Sequence, residues 1–587
     1  MRFSRLLVTA IVFGLALFVG PAQLAHGATL TVTKTADTAD GVCDSDCSLR
    51  EAIVASNAAL ATFDTIDFSG LGAGTQTFTF STKLPEITDP VHIDGTTAVS
   101  YVGAAPVIVL DGTGLSAKNG LEITTVGSTV RALAIVSFHS GIKLNFPGGS
   151  NSVFLSYFGM DPDGTTVRGN ALGIWIASSP NNIIGGPGLG NLISGNDSSG
   201  ILIDNENADS NVVKSNIIGL DITATVDKGN VTGVSIVGGA DSNVIGAAGG
   251  EGNVISGNDF RGVQINGVDS TFNTVAFNHI GTDAASTVAL ANGVGVGLLN
   301  SAPSNTIGPG NVVAFNTDDG VRIEGAAILN TVTGNSIHDN AGLGINNLLG
   351  GNTELTPPTV TAAGSASGSS DCASCTIEVF SDDDDEGKTF HGTATTAAGT
   401  CPCAWSFTGA VTGPNVTATV TDGSGNTSEF SASFACSDAD IDTVCDSGDS
   451  CPNDATNDVD GDGICGESDN CPSWPNPGQS LPPWTVPVED DDCDAFTATI
   501  ETFVGTDPDA SCASTAAAND EADDRWPADT NDNQFINVFD VVPYIAALNS
   551  SAPGPPYTAR LDLDMSGDIN TFDVVPFIQL LNKGCLP

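Results

Sequence analysis

The sequence predicts a mainly β protein organised around a right-handed parallel β-helix. Seven glycines each open a short apolar strand: Gly173, Gly200, Gly233, Gly262, Gly295, Gly320 and Gly344. An asparagine lies three or four residues ahead of each glycine: Asn170, Asn196, Asn230, Asn258, Asn292, Asn316 and Asn340. Two further asparagine columns run between the glycines: Asn182, Asn211, Asn243, Asn273, Asn305 and Asn330, then Asn191, Asn216, Asn253, Asn278, Asn311 and Asn335.

Each repeat therefore contains three short strands, and repeats of this size stack into a solenoid. Asparagine suits the turns between the strands because it tolerates left-handed backbone and can bond neighbouring backbone groups. We expect each strand to pair with its counterpart one coil away, so that equivalent asparagines hydrogen-bond along a column. The predicted β-helix covers residues 76–350. In these columns the chain resembles the right-handed β-helix of pectate lyases and related extracellular proteins.

The N-terminus has the pattern of a secretory signal peptide. A basic start is followed by an apolar stretch from Leu6 to Val19 and by small residues up to Gly27. The apolar stretch is too short to span a bilayer as a helix. We expect residues 1–27 to be a signal peptide and the protein to be secreted or associated with the cell surface. The 14 cysteines, an even number, favour disulfides in such a chain, with the pairing left open.

Residues 28–75 are predicted to form a cap on the β-helix. The letters CSLREAI, from Cys47 to Ile53, resemble the CSLREA segment at the start of some exported bacterial β-helix proteins. Ser48 and Glu51 have the spacing of a capping box that starts a short helix, and Cys43 is a candidate partner for Cys47. A cap is expected because an exposed coil edge invites further strand pairing.

A linker, a small β-sandwich and an acidic region are predicted to follow the β-helix. Residues 351–370 are rich in Thr, Ala, Gly, Ser and Pro and are predicted to be a linker. Residues 371–436 contain alternating apolar segments between Gly- and Asp-rich turns, which predict a small β-sandwich.

Residues 437–525 contain alternating aspartates and paired cysteines. The stretch DVDGDGICGESDNCP, from Asp458 to Pro472, resembles a thrombospondin type 3 repeat, and a weaker copy precedes it. Aspartates at this density cannot form an apolar core, so we expect calcium and disulfides to order the segment. The alternative is a disordered acidic linker. The candidate ligands are Asp438, Asp440, Asp442, Asp446, Asp449, Asp458, Asp460, Asp462 and Asp469.

Residues 526–587 repeat one calcium-ligand pattern twice. Oxygen side chains occur at loop positions 1, 3, 5, 9 and 12, with a backbone carbonyl at position 7, which is the arrangement that a hard cation prefers. The first set is Asp529, Asn531, Asn533, Phe535, Asn537 and Asp540; the second is Asp562, Asp564, Ser566, Asp568, Asn570 and Asp573. A similar apolar segment follows each loop and predicts a short helix in which proline occupies the first turn.

This pair of loop-helix repeats resembles a dockerin domain, a module that docks onto a cohesin partner. The resemblance implies a cohesin-like protein or a cell-surface component as partner. It also implies that loop positions 10 and 11 select the partner; here they are Val538, Phe539, Thr571 and Phe572 instead of the usual small polar residues. The alternative is a calcium-stabilised cap without a partner.

The charge of the chain excludes one class of ligand. The chain has 69 acidic and 17 basic residues and a net charge of -52. Nucleic acid is excluded as a ligand, since a phosphate-binding surface needs clustered lysine and arginine.

Catalytic chemistry on the β-helix has one candidate site. Asp318 and Asp319 lie in a turn, and Arg322 follows on the next strand, so two carboxylates and a cation could share a face. The equivalent turn also contains Asp197 and Asp259, which indicates a structural role, and the motifs of polygalacturonases are missing from the sequence. The leading hypothesis is a secreted calcium-binding protein whose β-helix binds polysaccharide or surface glycans. The alternatives are an extracellular polysaccharide lyase or glycoside hydrolase, and a structural envelope protein or adhesin.

Overall fold

A computed structural model of the chain describes residues 27–59, 63–103, 105–115, 117–363 and 366–436. Beyond 436 it describes residues 439, 451, 453–454, 458, 463–470, 479, 495–504, 535–536, 539–552, 561–571, 573–580 and 583–584. Residues 1–26 of the predicted signal peptide lie outside the described part. The chain divides into two units, Met1–Leu355 with Gly425–Thr427, and Thr356–Ser424 with Ser428–Pro587.

The first unit is a parallel β-helix, as the asparagine and glycine columns predict. Three parallel sheets of 11, 10 and 9 strands, here called sheets A, B and C, run along it. Sheet A contains Thr29–Thr31, Asp64–Asp67, Val91–Asp94, Thr129–Arg131, Ser152–Phe154, Ile183–Ile184, Val212–Val213, Val244–Ile245, Thr274–Val275, Thr306–Ile307 and Thr331–Val332. Sheet B contains Gln76–Thr79, Ile108–Asp111, Leu133–Val136, Tyr157–Phe158, Leu192–Ile193, Ile217–Ile218, Val254–Ile255, His279–Ile280, Val312–Ala314 and Ser336–His338. Sheet C contains Leu121–Ile123, Ser140–Asn145, Leu172–Ala177, Ser199–Asp204, Thr232–Val237, Arg261–Asn266, Val294–Leu299, Val321–Glu324 and Ile345–Leu348.

Aliphatic columns fill the interior of the β-helix. In sheet C one column pairs in register from strand to strand and is fully or almost fully buried: Ile174, Ile201, Val234, Val263, Val296, Val321 and Ile345. Burying each such side chain contributes about 1.5–3 kcal/mol. Because side chains alternate along a strand, the residues between these columns face outward.

The asparagine columns form buried hydrogen-bonded ladders at the turns. Asn258 donates from Nδ2 to Oδ1 of Asn292 at 2.9 Å, and its own Oδ1 accepts from Nδ2 of Asn230 at 3.0 Å. The same amide also donates to the backbone oxygen of Ile218 at 3.3 Å. The Asn258 amide thus satisfies buried polar groups of the preceding coil and of the following coil. The expected stacking of asparagines is therefore confirmed.

The segment before residue 76 contributes strands as well as a helix. Helix α1, Leu49–Ala58, begins at Ser48, whose side chain accepts from the backbone N–H of Glu51 at 3.2 Å. The Glu51 carboxylate accepts from the backbone N–H of Ser48 at 2.7 Å, completing the predicted capping box. Cys43 is disulfide-bonded to Cys47. Two strands of sheet A precede residue 76, so this sheet begins inside the segment predicted as a cap.

The second unit contains two antiparallel sheets. One has the order Thr359–Ala362, Ser367–Ser370, Cys403–Ser406, and the other Thr389–Thr395, Thr376–Asp382, Asn415–Thr421, Phe434–Ala435. The first two strands lie in the stretch predicted as a linker. Its Thr- and Ser-rich composition indicated a loop, yet Ser367–Ser370 satisfies its backbone groups by pairing on both sides. Disulfides join Cys372 to Cys375 and Cys401 to Cys403.

The C-terminal part of this unit contains short helices and strand pairs. Helices α2, α3 and α4 are Ala498–Val504, Val541–Ala547 and Val574–Leu580. Strand Phe535–Ile536 pairs with Lys583–Gly584, and Ser550–Ser551 pairs with Asp568–Ile569.

Three 3-10 turns complete the described elements: Gly95–Thr97, Gly351–Glu354 and Gly466–Ser468. Among the described residues, no helix combines the length and apolar character that a membrane crossing needs.

Candidate functional site

Three carboxylates of the second predicted calcium loop converge. One ligand oxygen each of Asp562, Asp564 and Asp573 lies within 4.8 Å of the other two. Asp562 and Asp573 are fully buried, whereas Asp564 is exposed. Three like charges at this separation repel one another unless a cation neutralises them. The geometry thus concentrates negative charge where the sequence predicts a metal.

The backbone of the loop holds the carboxylates in place. Asp562 accepts from the backbone N–H groups of Ser566 at 2.9 Å and Gly567 at 2.8 Å, and Asp573 accepts from that of Asn570 at 2.6 Å. Gly567 has φ +84°, a left-handed conformation that glycine adopts without strain, at the sixth loop position, where calcium loops need a sharp turn. Burial raises the pKa of Asp573, and the charges of Asp564 and Asp562 add to that rise.

These residues fit a calcium ion. The donors are oxygen only, which suits a hard cation and excludes a site built for a thiophilic metal. Asp562, Asp564 and Asp573 would hold the ion directly. The backbone oxygen of Asp568 accepts from Ser566 Oγ at 3.1 Å and from Asn570 Nδ2 at 3.0 Å. The other three predicted ligands of this loop, Ser566, Asp568 and Asn570, therefore lie next to one another.

Most of the other predicted calcium ligands lie outside the described residues: Asp529, Asn531, Asn533, Asn537, Asp438, Asp440, Asp442, Asp446, Asp449, Asp460 and Asp462. Phe535 is described only as part of a strand, and Asp540 is fully buried directly ahead of α3. In the acidic repeats, Asp458 accepts from the backbone N–H of Gly463 at 2.8 Å, and Asp469 accepts from Gln479 Nε2 at 2.9 Å. Cys451 is disulfide-bonded to Cys465 across this segment.

Helices α3 and α4 leave apolar side chains exposed. A cleft of about 310 Å³ lies between them, lined by Val541, Tyr544, Ile545, Leu548, Thr571, Val574 and Ile578. Ile545 is 67% exposed and Ile578 62%. Of the four predicted partner-selecting residues, Phe539 is 72% exposed, Thr571 lines the cleft, and Val538 and Phe572 lie outside the described residues. Exposed isoleucines around a cleft are typical of an interaction surface.

The catalytic candidates Asp318, Asp319 and Arg322 come together in the structure. Arg322 donates to Asp318 and to Asp319 at 2.5 Å each. Asp319, buried to 2% exposure, also accepts from the backbone N–H of Leu343 at 3.0 Å and from Asn346 Nδ2 at 2.9 Å. Burial alone would lower the pKa of Arg322, but hydrogen bonds to both aspartates outweigh it and raise that pKa. The Asp319 carboxylate is therefore engaged with the next coil.

The outward side of sheet C carries a continuous row of side chains, here called the outward row. Its members pair in register on nine strands: Glu122, Lys143, Trp175, Leu202, Ser235, Gln264, Gly297, Arg322 and Asn346. With about 4.8 Å between strands, the row is about 38 Å long. Trp175 is half-buried, and the Lys143 ammonium lies 4.2 Å from the centroid of its ring.

The sequence contains the signal that identifies this row. From Lys143 onward, each member lies two residues after a strand-opening glycine, as Trp175 does after Gly173 and Lys143 after Gly141. The facing of Trp175 is open from sequence alone because both of its neighbours are apolar. Register with Lys143 and Leu202 places it outward. Lys143 lies in a coil ahead of the seven glycines that define the repeat, which is why it is missing from the sequence-based candidates.

Comparison with known proteins gives remote similarity only. No protein-family model matches, and no curated protein matches. A mutant of the periplasmic alginate epimerase AlgG is 13% identical with a TM-score of 0.30, covering 49% of this chain and 63% of that one, less than two thirds of its length. ORF18 of Geobacillus virus E2 is 14% identical with a TM-score of 0.33, covering 71% and 78%. An alginate lyase from Paenibacillus sp. str. FPU-7 is 14% identical with a TM-score of 0.27, covering 55% and 97%. The family resemblances drawn from the sequence motifs stay predictions.

Proposed function

We propose that this chain is a secreted, calcium-stabilised modular protein whose β-helix binds an extended polysaccharide or surface glycan along the outward row of sheet C. The observation that carries the proposal is the in-register row itself. The row repeats once per strand and so forms a periodic surface. A polysaccharide is built of repeating units and can contact such a surface at regular intervals. Trp175 supplies an aromatic face, and Lys143, Gln264 and Arg322 supply hydrogen-bond donors.

The bonds that Asp318 and Asp319 already make favour binding of the glycan over its cleavage. Glycoside hydrolysis needs two carboxyl groups free to act as acid and base or nucleophile. Asp318 and Asp319 share Arg322, and Asp319 also accepts two hydrogen bonds from the following coil. These bonds fix the position of the Asp319 carboxylate, which suits a structural role.

The C-terminal part is proposed to attach the protein to a partner. The converging carboxylates of the 562–573 loop support a calcium-dependent fold, and the apolar cleft between α3 and α4 supports a docking surface. A cohesin-like protein or a cell-surface component is the proposed partner. Large exposed aliphatic side chains such as Ile545 and Ile578 are the kind that a partner covers.

The proposal is tested by incubating the full chain with a panel of acidic and neutral polysaccharides, with and without calcium. Bound protein and newly released reducing or unsaturated ends are both measured. We expect binding without release of ends, and weaker binding for Trp175→Ala than for Phe272→Ala, a control that removes an exposed aromatic ring from another part of the β-helix. Release of ends that survives Asp318→Ala and Asp319→Ala would favour an enzyme whose site lies elsewhere. Absence of binding to every polysaccharide would overturn the proposal.

A further inference from the structure

The outward side of sheet B is covered in the first coils of the β-helix. Val109, Ala134, Tyr157 and Leu192 pair in register on this side, and all four are buried. Ala105, from the connection between strands Val91–Asp94 and Ile108–Asp111, packs against this cluster. An outward row that is apolar and buried needs such a cover, since it would otherwise expose its surface to water.

A cleft opens where this cover ends. The next member of the row, Ile217, is only partly buried. The cleft has a volume of about 250 Å³ and contains two of the four tyrosines of the chain, Tyr101 and Tyr157. Its remaining walls come from four different coils: Ala105, Leu155, Gly188, Gly190, Asn191, Leu192, Ser215, Ile217 and Ile222.

The polar groups of the cleft are neutral hydrogen-bonding groups. Burial raises the pKa of Tyr157 to about 12 and also raises the pKa of Tyr101, so both phenols keep their protons at physiological pH. The hydroxyl oxygen of Ser215 is buried and has no hydrogen-bond partner among the described residues. A buried hydroxyl without a partner costs stability.

We propose that this cleft binds a single sugar ring, as a second glycan site separate from the outward row of sheet C. The volume is below the roughly 300 Å³ at which sites for drug-sized ligands begin, which limits the occupant to about one ring. A sugar ring has apolar C–H faces and a polar rim, and the cleft offers Tyr101, Leu155 and Ile222 for the faces and hydroxyl groups for the rim. The inference rests on the proposed function in taking the ligand to be a glycan.

The test measures binding of methyl glycosides of glucose, galactose and mannose to the full chain by saturation-transfer NMR. We expect at least one glycoside to bind, and Ile222→Trp to abolish binding because indole fills the cleft. Ser215→Ala should weaken binding by about fivefold without lowering the melting temperature, because it removes an unsatisfied hydroxyl. Ser242→Ala is the matched control, since Ser242 has φ +58°, as Ser215 does, and does not line the cleft.

The inference is overturned if no glycoside binds, or if Ile222→Trp and Ser215→Ala both bind as well as the unaltered chain. Reduced binding together with a large loss of melting temperature in Ser215→Ala would also count against it, because the hydroxyl would then serve the fold. The proposed function fails separately: polysaccharide binding that depends on Trp175 would persist if only the cleft assignment is wrong.

Discussion

Lys143 places its ammonium 4.2 Å from the centroid of the Trp175 ring, and the two residues pair directly on neighbouring strands of sheet C. His139 contacts the same ring edge-on, with 6.1 Å between ring centroids. A lysine over an aromatic face is attracted by the ring quadrupole, so the contact restricts the orientation of the indole. The aromatic member of the outward row is therefore held in place before any ligand binds, which lowers the entropic cost of binding.

The asparagine ladders should be a principal source of stability in the β-helix. Asn258→Asp replaces a buried amide that donates to Asn292 and Ile218 with a carboxylate that cannot donate when ionised. We expect a loss of about 3 kcal/mol in the unfolding free energy of the β-helix, measured by chemical denaturation. Asp259→Asn, the reverse exchange at the exposed neighbouring position, should change it by less than about 0.5 kcal/mol. Equal effects of the two exchanges would show that the ladder is not stabilising.

The two aspartates beside Arg322 should differ sharply in importance. Asp319→Ala removes an almost fully buried partner of Arg322, Leu343 and Asn346, and we expect it to cost about 3 kcal/mol. Asp318→Ala removes a carboxylate that is 51% exposed and should cost less than about 1 kcal/mol. Thermal unfolding of both variants measures the difference. A stable Asp319→Ala variant would contradict the structural role assigned to this carboxylate.

The 562–573 loop should lose calcium when its converging carboxylates are neutralised. We expect Asp562→Asn combined with Asp573→Asn to lower calcium affinity at this loop at least about tenfold, because a calcium loop tunes its affinity through its charged ligands. Asp568→Asn is the control, since position 7 contributes a backbone carbonyl and not a side chain. Calorimetric titration of the full chain with calcium should show one site fewer in the double variant and no change in the control. Loss of the site in Asp568→Asn alone would make the ligand assignment wrong.

The N-terminal helix should be sensitive to acid through Glu51. Burial would raise the pKa of this carboxyl, but hydrogen bonds from the backbone of Ser48 and Asp40 and from the Ser48 hydroxyl outweigh it and lower the pKa from 4.5 to about 2. A lowered pKa means that the stabilising contribution is complete above about pH 4.5 and is lost as the pH falls towards about 2. Glu51→Gln should therefore show a smaller drop in melting temperature over this interval. Parallel pH profiles for the two proteins would exclude the effect.

The sequence predicts those features of the fold that recur at a fixed spacing or lie within a short segment. Asn258 and its equivalents recur at one position per coil, so the ladders and the three sheets follow from the sequence pattern. The same holds for the short helix α4 directly after the 562–573 loop, because the calcium-ligand spacing that precedes it is confined to twelve residues.

Contacts between distant segments explain what the sequence does not reveal. Asp319 is bonded to Leu343 and Asn346 of the following coil, residues 24 and 27 positions away, and sequence spacing does not indicate these bonds. Tyr101 and Tyr157 line one cleft because the connection that contains Tyr101 folds over sheet B, and Tyr101 belongs to no repeat column. The strands Thr359–Ala362 and Ser367–Ser370 escape prediction because pairing with Cys403–Ser406 compensates for a composition typical of a loop.

The most direct test of the central claim is the dissociation constant of the full chain for the polysaccharide that it retains best, measured by calorimetry for the unaltered chain, Trp175→Ala and Phe272→Ala. Loss of the aromatic contact should weaken binding of Trp175→Ala by about tenfold, whereas Phe272→Ala should bind within about twofold of the unaltered chain. Equal dissociation constants for all three proteins would contradict the assignment of the outward row of sheet C as the glycan-binding surface.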